Sequence, residues 1–411
     1  MMQSDSEKDK MQTKPTIVII LILISALFTF PKVEAETKTI VVPNDYSTIQ
    51  EAINKAADGD KVFVKKGIYL IDENNTMVIS STLSLIGEDP VNTIIIGASN
   101  ALRENGIAIR LAAPNVTVSG FTLSNFRVAI AIVNYNVEPY PSGCKIVNNN
   151  IINNSEGVRP QRNDLLISEN NITKNNAGIT GYNTENVVIT RNNISENEYG
   201  VNIGICRNIT VSENHIFDNS KVALNLYYFG PHFVYNNIIA NNGWGIRFAE
   251  GCGNATVYGN YITQNGVGIV LLIFPNAGDI VVSGVGNMIF GNLFINNTEQ
   301  VSQEESSFNY PVTTRMGTDV VSWDNSSMGN FWSNYSGTDS NGDRIGDMPY
   351  VIDADNQDNY PLMSLHGIAP TPSPEPTPEV DAFSTALAVA SVITLAIISV
   401  GLLVYFKKRK H

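Results

Sequence analysis

The chain has 411 residues, with 26 Lys and Arg against 39 Asp and Glu, a formal net charge of −13. An acidic surface of this kind repels phosphate backbones and anionic headgroups, which excludes nucleic acid and anionic lipid as partners of the folded part. Its three cysteines cannot all pair, and no structural disulfide is expected to hold the fold.

Residues 1–35 read as a secretory signal. Ile17 to Phe30 is apolar and uncharged, Lys14 precedes it, and Val33-Glu34-Ala35 offers a small-residue cleavage site. The acidic leader before Met11 is unusual in such a signal and makes Met11 an alternative start. The folded part then opens on a helix-like stretch from Ser47 to Asp58. Ile49, Ala52, Ile53 and Ala56 keep helical spacing, Ser47 with Gln50 makes a capping box, and Gly59 ends the element. Such a helix suits the lid that the open first edge of a solenoid needs. Val62-Phe63-Val64, Leu83-Ser84-Leu85 and Ile94-Ile95-Ile96 begin irregular early coils.

From Ile146 to Phe294 one pattern recurs seven times: an apolar residue, Asn at +3, an apolar residue at +5 and Asn at +8. The copies start at Ile146, Ile167, Ile189, Val211, Val234, Val257 and Ile289, the first six 21 to 23 residues apart. Five copies add Gly at +11 and Ile or Val at +12, as in Gly178-Ile179. A fixed period of this length means stacked units, each too small to bury its own apolar face. β-branched residues with Asn/Gly punctuation, and no amphipathic run of helix length between them, read as short strands joined by tight turns. Three apolar touch points per coil, at −2 and 0, at +5, and at +12 and +14, predict an all-β fold. It is a parallel β-helix with three strands and about 22 residues per coil.

The Asn positions then have a reason. Asn149, Asn170, Asn192, Asn214, Asn237, Asn260 and Asn292 should stack at one bend, and Asn154, Asn175, Asn197, Asn219, Asn242, Asn265 and Asn297 at another. Asn tolerates left-handed backbone angles, and its amide donates to one neighbour while accepting from the other. These residues are read as scaffold. Cys206 and Cys252 share position −5 two coils apart, about 9.6 Å along the axis, beyond disulfide reach; Cys144 falls at an inward position.

The β-helix with its cap is assigned to residues 36–300, and 301–368 to a C-terminal coil and capping segment. Pro370 to Pro378, within a linker 369–381, is an extended spacer. Residues 382–406 carry no charge, enough for one transmembrane helix. The tail 407–411, with Lys407, Lys408, Arg409 and Lys410, places the C-terminus in the cytoplasm and the β-helix outside. A single-pass, monomeric surface protein of a prokaryote is the expected arrangement.

Val41-Val42-Pro43, Tyr46 to Ile53 and Asp58-Gly59-Asp60 resemble the entry to right-handed parallel β-helices of the pectin-lyase-like superfamily. The Asn-Gly coils resemble NosD-type and carbohydrate-binding-and-sugar-hydrolase (CASH) repeats. Gly329 to Tyr335, Asp339 to Asp347 and Asp358 to Met363 resemble the C-terminal end of NosD-like proteins, common on archaeal surfaces. The resemblance spans most of residues 38–363 and implies a right-handed β-helix. It leaves activity open, because lyases, hydrolases, copper-maturation proteins and surface proteins share that fold.

Four sets of residues are candidates for function. Glu196 and Asp218 occupy +7 of successive coils, near the carboxylate spacing of roughly 5 to 10 Å that glycoside hydrolysis needs. Glu169 and Glu213 share +2 with Arg191 between them, which reads equally as a surface charge ladder. Arg159, Arg162 and Arg191 are available as lyase bases, without an Asp cluster beside them. Tyr199 and Trp244 share +10, and Tyr182, Tyr227, Tyr228, Phe229 and Phe233 lie in or beside the adjoining connections. Such rings either stack on sugars or pack the bends. Asp339, Asn341, Asp343 and Asp347 stand at positions 1, 3, 5 and 9 of a loop that would suit structural Ca²⁺. That loop has Arg344 at position 6 and Tyr350 at position 12, and its other reading is an Asx-rich turn. Copper, which the NosD likeness implies, would need gathered soft ligands. His215, His232 and Cys206 are scattered, and Met316, Met328 and Met348 show no tight spacing. Ten Asn-x-Ser/Thr sequons make glycosylation possible outside the cell. The resulting expectation is a non-enzymatic surface protein that contacts polysaccharide, another envelope polymer or a surface protein. The alternatives are a polysaccharide hydrolase or lyase using Glu196 and Asp218, and a copper-handling protein.

Overall fold

The structure, a computed structural model, describes residues 37–364 except 72–74, 99–105, 134–139, 229, 250, 275–280, 283–285 and 306–320. The expected signal, linker, transmembrane segment and basic tail lie outside the described residues, as do Asn74, Phe229 and Met316. Among the described residues no helix is long and apolar enough to cross a membrane.

Among the described residues, Thr39 onward winds through three sheets of eleven strands each, whose strands pair in parallel with their counterparts one coil away, except Val281–Val282, which pairs antiparallel with Val267–Phe274. The repeat starts lie in perfect register: Ile146 pairs with Ile167, then Ile189, Val211, Val234, Val257 and Ile289. The same row runs back through Val118, Leu85 and Val62 to Ile40, so the early coils keep the inward register without the Asn punctuation. The +5 residues, Ile151 to Phe294, line the second sheet, and Val158, Ile179, Val201, Ile246 and Ile269 at +12, with Ile203, Phe248 and Leu271 at +14, line the third. These residues are buried in one continuous core. β-branched side chains fit this pleated interior with little loss of rotamer freedom.

The corners explain the polar punctuation and correct one detail of it. The stacked Asn residues do not take left-handed angles; the residue before each one does. Asn148, Glu169, Arg191 and Glu213 precede the first ladder with φ of 54° to 59°, and Asn153, Lys174, Glu196 and Asp218 precede the second with φ of 52° to 59°. The left-handed residue reverses the strand direction and aims the next side chain inward, where an amide is needed. Holding a charged residue there costs about 1–2 kcal/mol, which the ladder must offset. Asn115, Asp164, Asn186, Asn208 and Asn254 make a third left-handed corner at −3.

Each ladder Asn donates Nδ2 to Oδ1 of the Asn in the next coil, 2.9 to 3.1 Å away along the first ladder from Asn149 to Asn292. The first ladder has one more rung than the repeat suggests: Asn292 donates to Asn330 Oδ1. Asn330 N then donates to Asp358 Oδ2 at 2.6 Å. The second ladder ends when Asn297 Nδ2 donates to Gln300 Oε1, whose own amide donates to Ser333 Oγ. Every Asn-to-Asn bond runs toward the C-terminal end, so each ladder must finish on an acceptor.

At the N-terminus the helix spans Ile49–Lys55, shorter than expected, and its N-cap is Thr48, not Ser47. Thr48 Oγ1 accepts from Glu51 N. Gln50 closes no capping box. Its side-chain carbonyl accepts from Val78 N and its amide donates to Val78 O, so one amide stands in for a missing strand at the last edge of the third sheet. Gly59 does not cap the helix, which ends at Ala56; its amide donates to Thr82 O. At the other end Phe331–Trp332 extends the second sheet beside Leu293–Ile295, and strand Glu299–Glu305 runs across residue 300. Cys144, Cys206 and Cys252 are all buried free thiols.

Candidate functional site

Glu196 and Asp218 occupy the left-handed position of successive second corners and point into solvent. Glu196 Oε2 faces Lys174 Nζ at 3.8 Å, with both side chains more than half exposed. Arg191 lies between Glu169 at 3.3 Å and Glu213 at 3.7 Å on the first corner, which makes that row a surface charge ladder. Exposed ion pairs of this type contribute little to stability.

The aromatic residues behave differently, and the third sheet is what organises them. Tyr182 and Tyr227 end the strands Ala177–Tyr182 and Val222–Tyr227, beside the connections that follow. Tyr199 and Trp244 begin the strands Tyr199–Gly204 and Trp244–Phe248. Register aligns Tyr199 with Val222 and then Trp244, and Tyr182 with Gly204 and then Tyr227. Two rows of rings therefore run along the outer side of one sheet. Between them lies a polar row, Thr180, Asn202, Asn225 and Arg247, also in register. Arg247 Nη1 donates to Asn225 Oδ1 at 3.3 Å, and Asn225 Nδ2 donates to Asn202 Oδ1 at 2.9 Å. Thr180 Oγ1 is buried without a hydrogen-bond partner among the described residues. Asn225 is only 8% exposed although it sits on the outer side, because the flanking side chains wall the row in. Arg247 also stacks over Trp244 at 5.8 Å, and Lys221 over Tyr199 at 5.3 Å. Tyr228 meets Tyr227 edge-on.

The polar row is not among the candidates that the sequence singles out. A signal for it exists, because +13 is held by Arg159, Thr180, Asn202 and Arg247 in successive regular copies. Asn225 is displaced by the one-residue insertion before it. Phe233 belongs to the outer side of the first sheet, away from this face. A further aromatic stack there, Tyr235 on Tyr258 on Phe290, uses its ring faces on itself, with centroids 5.1 and 5.7 Å apart.

A cavity of about 560 Å³ lies where the last coil meets the C-terminal segment, lined by Asn296, Glu299, Gln300, Ser333, Asn334 and Tyr350 among others. The same C-terminal segment holds Asp358, fully buried. Its Oδ2 accepts from Asn330 N and from Trp332 Nε1 at 2.8 Å, and its Oδ1 from Tyr360 N at 3.0 Å. Burial pushes this carboxyl up to about 6, against the lowering effect of those three donors. Gly329 is required beside it, since a Cβ there would fall 1.7 Å from Asp358 Oδ1.

In the Asp339 loop, Asp339 accepts from the amides of Gly342, Asp343 and Arg344. Asp343 accepts from Ile345 N and Asn341 Nδ2. Asp347 accepts from Ser340 N and from the hydroxyls of Thr338 and Ser340, which lower its carboxyl below the usual range. The carboxylates are engaged in turn hydrogen bonds. Among the described residues no three His, Cys, Asp or Glu side chains gather to hold a metal. His215 stacks on Phe217, His232 is buried in the first sheet, and Met348 is exposed. Burial pushes the Cys144 and Cys206 thiols up to about 11 and Cys252 to about 12, away from the thiolate that binds metal.

The model of a family described as periplasmic copper-binding protein (NosD) matches residues 53–220 and, overlapping them, 130–337. No curated protein matches the chain. Among solved structures, an alginate lyase from Paenibacillus sp. str. FPU-7 is 14% identical, with a TM-score of 0.49 over 66% of this chain and 99% of that one. The A-module of the mannuronan C-5 epimerase AlgE6 of Azotobacter vinelandii is 16% identical, with a TM-score of 0.48 over 69% and 89%. The ORF18 protein of Geobacillus virus E2 is 13% identical, with a TM-score of 0.48 over 74% and 64%. At these identities the likeness is one of fold.

Proposed function

This chain belongs to the NosD family, and we propose that its β-helix binds glycan on the outer side of the third sheet without cleaving it. One observation carries the reading: two aromatic rows, Tyr182 with Tyr227 and Tyr199 with Trp244, flank a hydrogen-bonding row in strict register. Ring faces and a polar floor are what a sugar ring, apolar on its faces and polar on its rim, requires. Glu196 and Asp218, the pair considered for hydrolysis, stand in exposed corners outside this groove. Copper, which the family description implies, does not fit the described residues, whose soft donors are dispersed and whose thiols are held protonated. The acidic ectodomain, the apolar segment 382–406 and the basic tail support display outside the cell on a Pro-rich stalk.

The full-length chain in detergent should bind a subset of a glycan array, and Trp244→Ala should weaken that binding about tenfold or more, at about 1.4 kcal/mol per factor of ten. Bound polysaccharides should yield neither new reducing ends nor unsaturated products. Products that disappear in Glu196→Gln would replace binding by catalysis, and silence across the array would leave a protein-binding role. The Asp339 loop is testable on the same material. Its turn bonds predict a melting temperature that EDTA leaves unchanged, and a Ca²⁺-dependent rise would restore the cation reading.

A further inference from the structure

The aromatic residues of the third sheet do more than flank a groove: they alternate across it. Tyr182 lies at the end of its strand, Tyr199 at the start of the next, Tyr227 at the end of the third and Trp244 at the start of the fourth. These four strands are consecutive neighbours in the sheet. One aromatic residue is thus contributed per coil, with its backbone at opposite ends of the strands in turn. Aromatic residues at the same end are two coils apart along the backbone, about 9.6 Å. The floor supplies one polar side chain per coil between them, Thr180, Asn202, Asn225 and Arg247 in the same order.

Gly204 sets where the Tyr227 ring rests. It occupies the end position in the coil where the ring has moved to the start, and a Cβ there would fall 2.0 Å from Tyr227 Cε2 and 2.2 Å from Cζ. The Tyr227 ring therefore lies down along the sheet over Gly204 instead of standing off it. A side chain at 204 would have pushed the ring aside. Tyr182 is 48% exposed.

Resting on the glycan reading above, we propose that this face is a register for a ribbon-like glycan lying along the solenoid axis, one sugar per coil. Its successive rings are flipped relative to one another, as in β-1,4-linked pyranosides. A polymer with that two-fold repeat keeps its ring planes in one ribbon and turns the same ring edge, with its C5 substituent, to left and right alternately, and the length of two linked pyranoses is close to the two-coil spacing. A helical or strongly bent glycan of the same sugar meets one wall and misses the other.

The test is titration of the full-length chain with cello- and chito-oligosaccharides of two to eight sugars, and with malto-oligosaccharides as the helical control. Affinity for one β-1,4 series should rise with each sugar to about four, the number of aligned rings, and then level off. The malto series should bind at least about tenfold more weakly at four sugars and above. Gly204→Ala should displace Tyr227 and cut tetrasaccharide affinity several-fold while leaving the disaccharide nearly unchanged. Tyr227→Leu serves the same purpose if the alanine variant fails to fold. Equal binding of the α-1,4 and β-1,4 series, or affinity independent of length, would overturn the register while leaving glycan binding in place. Absence of binding by every oligosaccharide tested would overturn it as well, and the polysaccharide array separately decides whether the broader glycan reading stands.

Discussion

Asn192→Ala is expected to lower the unfolding free energy by about 3–5 kcal/mol, among the largest effects available from one side chain in this fold. Asn192 Oδ1 accepts from both Asn170 N and Asn170 Nδ2 at 3.0 Å. Its own Nδ2 donates to Ile167 O, Thr190 O and Asn214 Oδ1. Every one of these atoms is removed from water, so truncation strands two donors and deprives three acceptors in one step. Asn192→Asp is the sharper variant. It keeps the accepting oxygen but points a carboxylate at three oxygens, and at neutral pH it should be worse than alanine. Acidification should then recover part of the loss, because a protonated carboxyl donates one hydrogen bond. Urea melts of the two variants at neutral and mildly acidic pH provide the measurement. An alanine variant within about 1 kcal/mol of the parent would mean that the ladder is decoration.

Asp358 carries the second large effect, through pH. Its carboxyl is held up at about 6 in the folded chain against an ordinary value of 3.8, chiefly by burial. Between about pH 4 and about pH 6 the folded chain therefore binds more protons than the unfolded one, and stability falls as pH rises. Each tenfold gain in proton affinity on folding is worth about 1.36 kcal/mol, so this one group contributes on the order of 3 kcal/mol that is present in acid and lost above about pH 6. Other carboxylates add their own slopes, so the diagnostic is a difference. Asp358→Asn, which cannot ionise, should flatten the stability-versus-pH curve over that window. It should also lose stability at its own optimum, because its NH₂ would face the Tyr360 amide now accepted by Oδ1. Curves for parent and variant that run parallel from about pH 4 to about pH 7 would contradict this account.

Both predictions bear on how far the fold could be read from the chain. The repeat placed the starts Ile146 to Ile289 in the register that the sheets show, because β-branched spacing and Asn punctuation are local signals repeated seven times. It also placed both Asn ladders. It missed the rung at Asn330 and the terminal acceptor Asp358, which follow after long interruptions of the period. It put the left-handed angle one residue late, since a stacking argument cannot separate the residue that turns from the residue that fills the turn. Gln50 looked like half of a capping box, and only the approach of Val78, 28 residues on, revealed it as a substitute strand.

The candidate face divides in the same way. Tyr199 and Trp244 were aligned by counting residues, because both stand at +10 of regular copies. The placement of Tyr182 and Tyr227 on the same sheet, and the polar row between the aromatic rows, depended on register across the one-residue insertion before Val222. The amino-acid sequence by itself determined the architecture, since inward positions obey one periodic rule that every coil must satisfy to bury its apolar face. Only the tertiary structure decided which outward side chains become neighbours. Those are free of the rule and differ from coil to coil, and they meet only because residues about 22 apart are brought one strand spacing from each other.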